Sequence, residues 1–270
     1  MNFFKKYSTF HKIYFLVFFC FNIFTFGLEL YNEKTFTTGI VIVLIASIIS
    51  TISGLFAGIY TARAEVAAYT WGIINTCFYI FISITNHMYA EVILYVIYML
   101  PMNIYGYFAW KKSARESRHD NTTESTIEVR SLSKKQIGLI VPGVLILWGL
   151  YALFIYNLPN ILQPILGFRI PEDHLFYIDS FTATVTIFAV IVSTKRFKET
   201  WYFWILSDGV GAILYFTSLF TKTSFSFSSL SGAMMWIQYV TNAVYGVMMW
   251  KKLNKVEHED KGLNDSGKTA

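Results

Sequence analysis

The chain has 270 residues, of which 54% are hydrophobic, 19% aromatic and only 14% charged. Soluble domains carry about 25% charged residues, so a soluble enzyme or binding domain is excluded. The formal net charge of +5 is concentrated at certain loops, which argues for orientation in a membrane and against nucleic-acid binding.

A helix needs roughly 20 mainly apolar residues to cross about 30 Å of hydrocarbon. Eight stretches qualify: 12–31, 36–59, 66–84, 89–110, 137–156, 174–193, 201–220 and 231–250. The first follows Lys5 and Lys6 like a signal peptide, but it is long, aromatic and without a small-residue cleavage site, so it reads as a retained span. Basic residues gather at the N-terminus, at Arg63, between Lys111 and Lys135, at Lys195, Arg196 and Lys198, and after Lys251. The alternate loops 32–35, 85–88, 157–173 and 221–230 are poor in Lys and Arg. Positive charge collects on the cytoplasmic side, so the pattern predicts an even number of spans with both termini inside. A seven-span arrangement would strand one basic cluster outside.

Five segments follow: 1–35 with the first span, 36–112, the linker and connecting span 113–173, 174–253, and the tail 254–270. Polar composition predicts a flexible linker over 113–135 and a disordered tail. The sequon at Asn121 would face the cytoplasm and is read as chance. Segments 36–112 and 174–253 resemble each other. Thr61-Ala62-Arg63 matches Thr194-Lys195-Arg196, and in that register Tyr69 pairs with Tyr202, Trp71 with Trp204 and Asn75 with Asp208. Tyr105-Gly106 to Trp110-Lys111-Lys112 matches Tyr245-Gly246 to Trp250-Lys251-Lys252. The expected architecture is an all-α membrane protein of about eight helices, with two parallel three-helix repeats joined by a linker helix. Such repeats place a substrate at their interface.

Polar groups inside spans mark candidate site residues. Trp201, Trp204 and Asp208 are spaced three and four apart and share a helix face. Two indoles and a carboxylate suit a flat or cationic ring. An interfacial aromatic belt also accounts for Trp201, and a carboxylate that only fixes packing accounts for Asp208. Trp71 and Asn75 are the partners in the first repeat, and Tyr79 extends that face. Tyr98, Asn103, Gln238 and Asn242 join the set as ligand contacts or interhelical hydrogen bonders. Pro101 predicts a kink, Gly54 and Gly58 predict close helix packing, and Asp179 reads as a boundary or vestibule charge. The two cysteines, Cys20 and Cys77, form no CxxC pair, and the five histidines form no cluster. No metal, cofactor or catalytic motif is expected, so the chain reads as no enzyme.

Trp201-Tyr202-Phe203-Trp204 resembles the WxxW motif of the PnuC transporters. Tyr89-Ala90-Glu91, Tyr98, Pro101-Met102-Asn103 and Tyr105-Gly106 to Trp110 resemble that family's YGE…Y…PMN..G…W segment, with Ala90 where Gly is expected. The resemblance covers the chain from about the second span to Lys252. It implies a SWEET-like fold and facilitated diffusion of nicotinamide riboside across the inner (plasma) membrane, with phosphorylation by a cytoplasmic kinase as the trap. By analogy Trp201, Trp204 and Asp208 line the site. Thiamine, riboflavin and deoxynucleosides are alternative substrates within the family, and proton coupling through Asp208 is an alternative mechanism. The indole pair beside a carboxylate favours a cationic vitamin. The implied partners are a small-molecule substrate, membrane lipid and that kinase, with a homo-oligomer left open.

Overall fold

The computed structural model describes residues 8–32, 37–85, 87–119, 127, 129–221 and 236–254. The Asn121 sequon, the tail beyond Asn254 and the start of the last expected span lie outside them. The helices are α1 (Thr9–Asn32), α2 (Thr38–Ala62), α3 (Ala67–Thr85), α4 (Tyr89–Leu94), α5 (Leu100–His119), α6 (Lys134–Leu166), α7 (Phe176–Thr194) and α8 (Thr200–Thr221). A last helix, α9, covers 236–254. A π-helical segment, Tyr95–Met99, joins α4 to α5, so these form one rod. Among the described residues, six helices are long and apolar enough to cross a membrane. With α8 and α9 they make the eight-helix, all-α membrane architecture.

Two local departures from expectation have simple causes. Pro101 brings a π turn ahead of it: Leu100 N–H reaches back to Tyr95 O. A proline ring clashes with the carbonyl four residues earlier, and a wider turn relieves that clash. Helix α6 runs to Leu166, through residues expected to be loop, with Pro142, Pro159 and Pro164 inside it. Its start is fixed by a Ser133–Gln136 capping box and its end by Gly167 at φ 75°. At about 1.5 Å per residue this helix spans roughly 50 Å, more than one bilayer core.

The repeats are α2, α3 and α4–α5, then α7, α8 and α9, with α6 between them. Their corners are built alike. Ala64 (φ 57°) and Arg196 (φ 68°) both adopt the left-handed conformation that reverses the chain. Ala64 N–H bonds Thr61 O, Glu65 N–H bonds Tyr60 O and Tyr69 N–H bonds Val66 O. Arg196, Phe197 and Trp201 repeat that pattern with Ser193 O, Val192 O and Lys198 O. Tyr69 therefore corresponds to Trp201, one residue earlier than the match of Thr-x-Arg strings indicates. Burial agrees, because Tyr69 and Trp201 are 7% and 2% exposed whereas Tyr202 is 48% exposed.

The linker is not loose where it is described. Helix α5 continues to His119, and Arg196 donates from its guanidinium to Ser113 Oγ. Beyond it, Ile127 and Val129 are buried in the aromatic core. Ile127 N–H bonds Ala64 O, and Arg130 N–H bonds Arg196 O, so one extended strap touches the same carbonyl in both corners. Asn254 closes the strap: its Nδ2 donates to Val129 O, and its Oδ1 accepts from Ser131 Oγ and Lys198 Nζ. The apolar Ile127 and Val129 are what the polar average of 113–135 conceals.

Candidate functional site

A cavity of about 300 Å³ lies between the repeats, walled by α2, α3, α5, α7, α8 and α9. That volume sits at the lower end of small-ligand pockets, which run about 300–1,000 Å³. Trp201, Trp204 and Asp208 descend one face of α8 into it, and Asn75, Asn103 and Asn242 reach it from α3, α5 and α9. Asp208 is 7% exposed and is the cavity's one Asp, Glu, Lys, Arg or His among the described residues. No hydrogen bond or ion pair to its carboxylate occurs among those residues. Asn75 Nδ2 donates to Ser50 O at 2.8 Å, and Asn103 Nδ2 donates to Thr76 Oγ1 at 3.0 Å.

Three expected contacts fall elsewhere. Trp71 stacks on Phe56 with ring centroids 4.7 Å apart. In the corner register the counterpart of Trp204 is Gly72, which does line the cavity, and that of Asp208 is Thr76. Tyr98 lies in the π segment and donates to Ile187 O at 2.7 Å, tying its rod to α7. Gln238 is spent on α1, accepting from Tyr14 at its carbonyl and from Asn22 Nδ2 at its Oε1. Tyr79 faces Tyr95 at 4.5 Å. Tyr69, Tyr95, Ser207 and Tyr239 also line the cavity, although no sequence motif singles them out as site residues. Tyr69 was within reach, since a corner register would have paired it with Trp201.

The corner end of the cavity is closed by four rings. Tyr69 meets Trp110 edge-on at 4.9 Å, Trp201 meets Trp250 edge-on at 5.7 Å, and Trp110 and Trp250 lie 5.8 Å apart. Gly106 and Gly246 leave room for Tyr69 and Trp201, since a Cβ at either would strike the ring. The floor is cross-braced between repeats: Trp110 Nε1 donates to Ser193 O, and Trp250 Nε1 donates to Thr61 O. Ser193 and Thr61 are themselves equivalent corner positions. Among the described residues the buried Tyr69 hydroxyl and Trp201 indole N–H find no hydrogen bond of good geometry, although Ser193 lies near the former. Leaving such a donor unpaired costs about 1–3 kcal/mol.

The chain is 23% identical over 207 residues to the nicotinamide riboside transporter PnuC of Neisseria mucosa, covering 77% of this chain and 72% of that protein. It is 23% identical over 206 residues to the Escherichia coli nicotinamide riboside transporter PnuC, covering 70% and 83%. The crystal structure of the vitamin B3 transporter PnuC shares the fold at TM-score 0.65 and 20% identity, over 92% of this chain and 93% of that one. A family model described as nicotinamide mononucleotide transporter matches residues 44–252. The chain belongs to this nicotinamide mononucleotide transporter family of multi-pass membrane proteins, which are transporters and not enzymes.

Proposed function

We propose that the chain carries nicotinamide riboside across the inner (plasma) membrane by facilitated diffusion, and that phosphorylation by a cytoplasmic kinase makes uptake net inward. The observation that carries this reading is Asp208, a carboxylate within a membrane span that has no cationic partner among the described residues and lies beside Trp204. A buried charge is tolerated when it is paired, and a positively charged ring in the cavity supplies that pair. The pyridinium of the riboside stacks on an indole and gains cation–π attraction as well. A mononucleotide fits less well. Its phosphate would meet Asp208 and find no Lys, Arg or His in the described lining.

Passage requires the four-ring floor to part. The floor lies at the end where Arg63, Lys195, Arg196 and Lys198 gather, which the charge pattern assigns to the cytoplasm together with both termini. Parting it breaks two Trp braces and releases the Tyr69 and Trp201 donors to water or ligand. Closed and open states then differ by a few compensating contacts, as a transporter without an energy source needs.

Purified protein in liposomes tests the proposal. Labelled riboside should equilibrate without accumulating, with or without a pH gradient, and should accumulate once kinase and ATP are enclosed. Accumulation driven by the pH gradient alone would replace facilitated diffusion with proton coupling through Asp208. Flux of thymidine but not riboside would reject the cationic substrate.

A further inference from the structure

Three glycines of the cavity wall each face one amide of the cavity lining. A Cβ on Gly54 would lie 3.0 Å from Asn75 Nδ2, one on Gly58 would lie 3.0 Å from Asn242 Nδ2, and one on Gly72 would lie 2.9 Å from Asn103 Oδ1. At both positions of the Gly54–Gly58 pair the nearest atoms across from the glycine belong to an amide side chain. The pair opens two seats on α2, and Gly72 opens a third on α3. At the positions equivalent to these three glycines the second repeat places Thr186, Val190 and Trp204, which also line the cavity.

We infer that Gly54, Gly58 and Gly72 are positioning residues that hold the amides of Asn75, Asn242 and Asn103 in the orientation that meets the ligand. The amides differ in what they have left to offer. Asn75 spends its nitrogen on Ser50 O and Oγ, and Asn103 spends one N–H on Thr76, which leaves both carbonyl oxygens as acceptors and one N–H of Asn103 as a donor. Asn242 makes no hydrogen bond among the described residues, so its amide presents a donor and an acceptor together. Such a set suits a ligand rich in hydroxyls and amide groups. A methyl group at any of the three glycines leaves the chemistry of the cavity intact and displaces only an amide. The inference rests on the cavity being the ligand site proposed above.

A double-mutant cycle on Gly58 and Asn242 tests it, because an amide with no hydrogen-bond partner among the described residues isolates the positioning effect. Full-length protein in detergent is titrated with nicotinamide riboside and, separately, melted without ligand. Gly58→Ala and Asn242→Ala should each weaken binding about tenfold, and the double variant should bind no worse than Asn242→Ala alone. In the ligand-free melt, Asn242→Ala should remove the destabilisation that Gly58→Ala causes. Gly149→Ala, whose Cβ meets nothing within 4 Å, serves as the control and should bind like the parent chain. A general packing role would lower the melting temperature additively and leave the two affinity losses independent, and additivity in both measurements overturns the inference. If the parent chain binds no riboside, the substrate assignment fails on that result alone, while the ligand-free cycle still decides whether Gly58 acts through Asn242.

Discussion

The two repeats share a frame and differ in what they show the cavity. The corner hydrogen bonds, the left-handed residues Ala64 and Arg196, the ring-facing glycines Gly106 and Gly246 and the Trp110 and Trp250 braces occur once in each. The lining diverges. The first repeat offers Gly72 and Thr76 where the second offers Trp204 and Asp208. Backbone geometry and the four-ring floor keep their symmetry, as the proposed parting of the floor along one seam requires. The lining does not, as expected for the proposed ligand, whose one charged ring and one sugar have no twofold axis. The first repeat thus makes a hollow edged by Asn75 and Asn103, and the second makes an aromatic and acidic wall that also carries Asn242.

The largest effect should come from removing the charge on that wall. Asp208→Asn should lower affinity for the cationic riboside about 30-fold, the scale of a charge-assisted contact. The uncharged, reduced form of the same riboside should bind the two proteins within about threefold, since that ligand gains nothing from the carboxylate. Titration calorimetry with both ligands checks this. Equal losses for the two would make Asp208 a packing residue and return the site to a neutral, symmetric pocket.

The shared frame makes a smaller, paired prediction. Trp110→Phe and Trp250→Phe each delete one brace, while the carbonyl on the partner repeat keeps its corner N–H bond from Arg196 or Ala64. Each should cost about 1 kcal/mol, and the two should cost the same. Thermal unfolding of the two variants measures this. Losses that differ by more than about twofold would show that the floor is held from one side only. The strap itself is one-sided: it bonds the carbonyls of Ala64 and Arg196 alike, but adds Lys198 N–H to Arg130 O and Leu132 N–H to Glu199 Oε2 at the second corner.

Much of the frame was legible before the structure. Span lengths, basic loops and a repeated Tyr-Gly to Trp-Lys-Lys ending depend on composition and spacing, which the bilayer constrains strongly. The register of the repeat was less legible. Arg63 and Arg196 look like partners, but the left-handed residue is Ala64 in one corner and Arg196 in the other. Neither is glycine, so nothing in the sequence marked the turn. The Gly54–Gly58 spacing signals close helix packing, and α2 does pack closely on α3, but spacing alone does not name the amides that fill the space. Gln238 and Asn242 share a helix face, yet α1 claims the first and the cavity the second. Choices of that kind are made by neighbouring helices and leave no local pattern.

That one-residue difference in register has a consequence small enough to be diagnostic. If Trp71 were the counterpart of Trp204, both rings would flank the ligand and either loss would weaken binding. In the corner register Gly72 takes that place, and Trp71 packs on Phe56 outside the lining. Trp204→Ala should therefore cost about tenfold in riboside affinity, within the range for an indole that stacks on a cationic ring. Trp71→Phe should leave affinity within about twofold, because a phenyl ring keeps the contact with Phe56 and the ligand never meets it. Folding is the control, since both variants must show the parent's elution profile in detergent. A tenfold loss from Trp71→Phe would restore the Thr-x-Arg register, give each repeat its own indole at the ligand and make the site twofold after all.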